Sequence, residues 1–119
     1  MILDETFAKQ ERLVKTKDFR KVYKDGRSYK AGFVVLRSLP NAALTNRVGF
    51  SISAKIVKRA FRRNRLKRLF REAYRKNKKA LKQGFDLVFV IRKDAKESFS
   101  YAEAQRIFLD LSKQAGILL

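Results

Sequence analysis

The residues best suited to chemistry in this chain form one run, Arg62-Arg63-Asn64-Arg65-Leu66-Lys67-Arg68-Leu69-Phe70-Arg71-Glu72. It places six cations and one carboxylate in eleven positions. Guanidinium forks match phosphate oxygens bidentately, so arginine is favoured where a polyanion must be held in fixed geometry. Asn64 interrupts the charges with an amide that both donates and accepts hydrogen bonds. Across residues 55–82 there are fourteen Lys/Arg and a single acid, Glu72. That acid reads as the partner of Arg68 or Lys76 on one helix, not as a catalyst. A merely solvated basic face is the plainer alternative, but an apolar strip runs opposite the arginines and argues for a built surface.

The groups that are missing narrow the chemistry further. The chain has no histidine and no cysteine, which removes the usual general base, thiolate metal sites and disulfides. The eleven acids are scattered, without a close pair resembling a two-metal cage. Asp86 and Asp94 read as solvent-facing residues at the ends of one strand. A nuclease acting alone is therefore hard to support, and any catalysis is expected from a partner. A net charge of +19 opposes compaction and is best tolerated when a partner supplies negative charge. Nucleic acid leads; an acidic membrane surface or an acidic protein comes behind. Six to ten phosphate contacts would make affinity fall by about 10³–10⁵ between 50 and 200 mM salt on the duplex-DNA scale.

The elements that must position these residues follow from periodicity. At 119 residues one domain is expected, 1–119, able to bury roughly two thirds of its extended surface. Residues 1–11 read as a loose arm, and the acidic start Met1-Ile2-Leu3-Asp4-Glu5 is unlike a signal peptide. Thr16 is placed to cap a short helix over 18–24 that stops at Gly26, with Phe19, Val22 and Tyr23 on one face. Residues 28–39 read as a strand, followed by a loop from Pro40-Asn41 to Asn46. In 47–53, Val48, Phe50 and Ile52 alternate with Arg47, Gly49, Ser51 and Ser53. Gly49 marks a place where another chain approaches closely, or else a bulge.

A long helix follows, from Val57 or Ala60 to Ala80. At ~100° per residue, Leu66, Leu69, Phe70, Ala73 and Asn77 share one arc, and Asn64, Arg68, Arg71 and Arg75 lie opposite. Gly84 marks its exit, and Phe85 to Ile91 reads as a buried strand, too short to cross a bilayer. Ser100 and Glu103 have capping-box spacing before a last helix with Ile107, Phe108, Leu111 and Ala115 on one side, ended by Gly116. The order suggests an α+β sandwich, one sheet covered by helices. RNA fits better than duplex DNA, because a strand and not a helix-turn-helix precedes the basic helix. Phe19 and Tyr23 offer aromatic faces to unstacked bases, with one of them possible core instead.

Ala60-Phe61-Arg62-Arg63-Asn64-Arg65-Leu66-Lys67-Arg68-Leu69-Phe70-Arg71-Glu72 closely resembles the signature of the protein subunit of bacterial ribonuclease P. Arg12-Leu13, Asp18-Phe19, Gly26, the 47–53 strand, Ala54-Lys55 and Phe85-Asp86-Leu87-Val88 fall in that family's order and spacing. One departure is Val57-Lys58-Arg59, basic where many members place a glycine. The resemblance implies a two-layer α/β sandwich with a four-stranded sheet and a left-handed β-α-β crossover through the signature helix. Sequence reasoning alone would choose the right-handed one.

The resemblance also implies a small protein that binds a large catalytic RNA, the pair removing 5′ leaders from precursor tRNA. The RNA would carry the chemistry, with magnesium held mainly by RNA and substrate and no organic cofactor. Arg63, Asn64, Arg65, Lys67, Arg68 and Arg71 would face the catalytic RNA. Phe19, Tyr23, Ser51, Ser53 and Lys55 would belong to a leader-binding cleft with Arg12 at its margin. No catalytic residue, membrane or obligate protein partner is expected, and the cytoplasm is the expected location. A ribosome-type RNA-binding protein, a DNA-binding module and a protein-only ribonuclease are the rival readings.

Overall fold

The computed structural model describes residues 7–119; the acidic start and the rest of 1–6 lie outside it. The elements are α1 (Thr16–Asp25), β1 (Arg27–Ala31), β2 (Val34–Pro40), β3 (Arg47–Ile52), α2 (Ala60–Asn77), β4 (Phe85–Ile91) and α3 (Tyr101–Gln114). Single 3₁₀ turns occupy Lys9–Glu11 and Lys78–Ala80. The strands form one mixed sheet in the order β1-β2-β4-β3. β2 pairs antiparallel with β1 and β4, whereas β3 and β4 run parallel. The β3-α2-β4 unit is thus a crossover between neighbouring parallel strands, with the basic run as its connecting helix.

β4 is central and apolar on both faces, as a strand covered on both sides should be. Leu87, Phe89 and Ile91 pack with Leu36, Val48, Leu66, Phe70, Phe108 and Leu111 in the main core beneath α2 and α3. Phe89 stacks between Phe50 and Phe108, with ring centroids 5.6 and 5.2 Å away. On the opposite face Val88 and Val90 join Leu13, Phe19, Val22 and Leu39. The expected α+β sandwich with a four-stranded sheet is present, and α1 adds a partial layer on its second face.

Residues 28–39 are a hairpin, not one strand. Ala31 pairs with Val34 across Gly32-Phe33, and Gly32 adopts φ +57° while Phe33 does not take positive φ. Glycine first in a two-residue hairpin turn is a turn signal, but the apolar run from Phe33 hid it. Phe33 is apolar because its ring meets those of Phe99 and Phe70, at 5.2 and 6.5 Å.

Helix ends differ in detail. Lys15 is the residue before α1, Thr16 lies within it, and no side chain caps it. Gly26 is extended, at φ −76° and ψ 156°, so left-handed freedom is not its purpose. A Cβ there would lie 2.5 Å from the Val22 carbonyl oxygen. α2 begins at Ala60 and its α-helical part ends at Asn77. Val57 is fully buried in a preceding turn, its N–H donating to the Ser53 carbonyl. At α3, Ser100 Oγ accepts from the Glu103 N–H as its spacing implied, and Gly116 at φ +72° ends the helix.

From Phe7 onward the loose-arm expectation is corrected. The Leu13 N–H donates to the Val48 carbonyl at 3.0 Å, and Arg12 bridges to Val48 in parallel along the β3 edge. Glu11 is buried, accepting from Tyr74 Oη at 2.5 Å and Lys78 Nζ at 2.9 Å. Asp86 is also corrected: it is buried and accepts from Arg47 Nε and Nη2 at 2.9 and 2.6 Å. Asp94 accepts from Arg62.

Candidate nucleic-acid interface

The amphipathic wheel of α2 holds. Leu66, Phe70, Ala73 and Tyr74 are buried, whereas Asn64, Arg68 and Arg71 are exposed. Asn77, on the inner arc, donates to the Ala73 carbonyl and to Gln105 of α3. The arginines then divide by task. Arg62 donates to Asp94 at 2.9 Å, to the Ala95 carbonyl at 2.6 Å and to Glu97 at 3.5 Å. Its hydrogen bond to Asp94 raises its already high pKa. These carboxylates also bring negative charge to a helix start whose first turn holds no acid, which offsets an unfavourable cation–dipole arrangement.

Arg63 Nη1 donates to the Val57 and Lys58 carbonyls at 2.8 and 2.9 Å. It therefore fixes the glycine-less turn into α2. Arg65 Nη2 donates to the Phe99 carbonyl at 2.7 Å. Asn64, Lys67, Arg68 and Arg71 engage no side-chain hydrogen bond or ion pair among the described residues. They line one open groove with Arg65 and Phe61. Glu72 pairs with Arg75 three residues on, through two 2.9 Å hydrogen bonds, in place of Arg68 or Lys76. That hydrogen bond, more than its charge, holds the Glu72 carboxyl below its ordinary range.

A second groove follows the β3 edge. Phe7, Arg12, Leu13, Val14, Phe19, Gly49, Phe50 and Arg71 line it with Val48. Gly49 explains its shape, because a Cβ there would lie 2.6 Å from the Phe19 ring. The close approach expected at Gly49 is thus made by α1 of the same chain. Val22 is the fully buried member of the α1 face, Phe19 is half-buried in the groove, and Tyr23 is 37% exposed. Arg37 holds Tyr23 in place, donating to its carbonyl and lying 5.7 Å from its ring centroid.

Among the expected cleft residues, the structure brings Phe19 and Arg12 into this groove. Arg12 donates twice to the Phe7 carbonyl and covers the Phe7 ring at 5.2 Å. Ser51 is half-buried on β3, beyond Gly49; Ser53 and Lys55 are exposed in the turn that follows. Ser53 Oγ accepts from the Lys55 N–H. Tyr23, Ser51, Ser53 and Lys55 do not line the groove itself. Arg71 belongs to both grooves, which makes the two surfaces continuous. Phe7, Val14 and Phe61 were not anticipated. Their signal, an apolar residue out of phase with its element, is weak in sequence because exposed single hydrophobes are common.

A mixed sheet carrying an unpaired cationic helix face beside an aromatic groove defines a small polyanion-binding protein of the α+β class. A family model described as Ribonuclease P matches residues 7–116. The "Ribonuclease P protein component" of Clostridium botulinum (strain Loch Maree / Type A3) is 41% identical over 110 residues, 92% of this chain and 97% of that protein. The RNase P protein from Thermotoga maritima superposes with a TM-score of 0.80 at 33% identity, over 87% of this chain and 96% of that one. The Staphylococcus aureus RNase P protein gives 0.81 at 27% identity, over 92% and 98%. The chain belongs to the ribonuclease P protein family.

Proposed function

We propose that this chain is the protein subunit of a ribonuclease P ribonucleoprotein. It binds the catalytic RNA and the 5′ leader of precursor tRNA, and assists hydrolytic removal of the leader in tRNA 5′ maturation. The family match across residues 7–116 carries this reading. In it the outward face of α2 holds the catalytic RNA through the unpaired Asn64, Lys67, Arg68 and Arg71, flanked by the half-buried Arg63 and Arg65. The β3-edge groove, with Phe19 and Arg12, takes the leader, and Tyr23, Ser51, Ser53 and Lys55 extend its path. The adjoining cations offset repulsion between two polyanions brought side by side.

The protein's part is binding and orientation; hydrolysis belongs to the RNA, aided by magnesium ions. No group of three or more acidic ligands able to hold a metal occurs among the described residues. The carboxylates nearest the basic face, Glu72, Asp94 and Glu97, each pair with an arginine, so their donor set does not fit a resident cation. In this reading magnesium is held mainly by the RNA and the substrate. No helix in the described residues is long and apolar enough to cross a membrane. A cytoplasmic location, with no obligate protein partner, suits a cysteine-free chain whose partners are RNA.

The test combines purified protein, the candidate catalytic RNA and precursor tRNA at low magnesium, each omitted in turn. Leader removal should require the RNA and be stimulated by the protein. Cleavage by protein alone, or tight RNA binding without stimulation, would count against the proposal.

A further inference from the structure

Phe61 is 63% exposed, although it lies in the first turn of a helix whose other aromatic residues, Phe70 and Tyr74, are buried. It belongs to neither apolar cluster of the protein. Among the described residues no second ring packs on it, and no cation lies over its face; such contacts belong to Phe7, Tyr23 and Tyr101. The arginines that could have covered it are committed elsewhere. Arg62 turns to Asp94 and the Ala95 carbonyl, and Arg65 donates to the Phe99 carbonyl.

Phe61, Asn64, Arg65 and Arg68 are spaced i, i+3, i+4 and i+7, so they share one stripe of α2. The same residues line one open groove with Lys67 and Arg71. An uncovered aromatic face, an amide and the unpaired Arg68 on one stripe, with the unpaired Lys67 and Arg71 in the same groove, form a combination suited to an unstacked nucleotide. The ring takes the base face, the amide can meet a base edge, and the cations meet phosphates. The density of positive charge disfavours a second copy of this chain as the occupant and favours a polyanion.

We propose that Phe61 is a stacking platform for one unpaired base of the RNA held by α2. This inference rests on the reading of α2 as the face for the catalytic RNA and adds a contact that does not depend on charge. Base stacking on an aromatic side chain is a non-ionic contribution, whereas each phosphate contact adds to the salt slope.

The experiment measures affinity of the full chain for the ribonuclease P RNA transcribed from the same genome, over a series of monovalent salt concentrations. Phe61→Ala should weaken binding about 5- to 100-fold with an unchanged salt slope. Phe61→Trp should keep affinity and lose fluorescence when RNA is added, and Phe61→Leu should not restore binding. Arg68→Ala should instead lower the slope by about one. Unchanged affinity of Phe61→Ala alongside a reduced Arg68→Ala slope overturns the stacking proposal and leaves the α2 reading standing. Restoration by leucine as complete as by tryptophan overturns it too, as would loss of self-association in Phe61→Ala with RNA binding intact. If Arg68→Ala also changes nothing, the α2 reading fails and takes the proposal with it.

Discussion

Two arginines six positions apart on one helix have different work here. Arg62 is tied to Asp94, Glu97 and a backbone carbonyl, whereas Arg68 is exposed and unpaired among the described residues. Arg62→Ala should lower the thermal midpoint, because it frees the start of α2 from the loop before α3. Arg68→Ala should leave the midpoint within the small range typical of exposed substitutions. Circular dichroism melting of the two variants separates the roles. Glu72 provides a smaller case with a definite sign. Its carboxyl is held below the ordinary 4.5 by the hydrogen bond to Arg75. Its contribution is therefore present at neutral pH and is lost as the pH falls through 4.5 toward the lower folded value. The pair is half-exposed and screened, so Glu72→Gln should cost less than about 1 kcal/mol at pH 7, and progressively less as the pH is lowered below 4.5. Urea unfolding at neutral and acid pH measures the difference.

At the scale of elements, the packing of α1 on β3 depends on a missing side chain. Gly49→Ala would place a Cβ 2.6 Å from the Phe19 ring, and the ring, as a flexible group, would be displaced from the groove. Binding of precursor tRNA should then fall by on the order of tenfold while mature tRNA is little affected. Equal loss for both substrates would remove Phe19 from the leader path. The segment leading into α1 depends on charge. Glu11 and Lys78 side chains are 12% and 10% exposed and form an ion pair at 2.9 Å. Glu11→Ala strips the carboxylate from a buried ammonium and should destabilise the fold by about 3–5 kcal/mol. Chemical denaturation checks this, and a loss below 1 kcal/mol would mean that the segment is not anchored there.

For the whole molecule, charge and architecture act together. Thirty Lys/Arg against eleven Asp/Glu give a field that draws in polyanions, and the fold sorts those charges by location. Some acids are consumed as partners: Asp86 for Arg47 and Glu11 for Lys78 inside the fold, Asp94 for Arg62 at its surface. The exposed α2 face is left with unbalanced cations that run through Arg71 into the aromatic groove. Affinity for the catalytic RNA should accordingly fall steeply with salt, on the order of 10³-fold or more between 50 and 200 mM if six or more phosphates are contacted. A shallow dependence in a filter-binding titration would count against a surface of this extent.

The sequence by itself determined the amphipathic division of α2, the β3 alternation, the buried β4 and the α3 cap. Each depends on local periodicity or on partners three or four residues apart. It also established that the chain is strongly cationic and has neither histidine nor cysteine. The Gly32-Phe33 turn was hidden because Phe33 supplies a ring to a core built from distant elements. Only the tertiary structure decided that Gly49 makes room for Phe19, that Asp86 and Glu11 are buried partners, and that Arg62, Arg63 and Arg65 fasten the helix that displays Arg68 and Arg71. Apart from Arg63, which reaches the turn just before its own helix, those pairings join residues 30 or more positions apart, such as Gly49 with Phe19 and Glu11 with Lys78. Periodicity records which face a side chain takes, but the partner it meets depends on how the β3-α2-β4 crossover brings remote segments together.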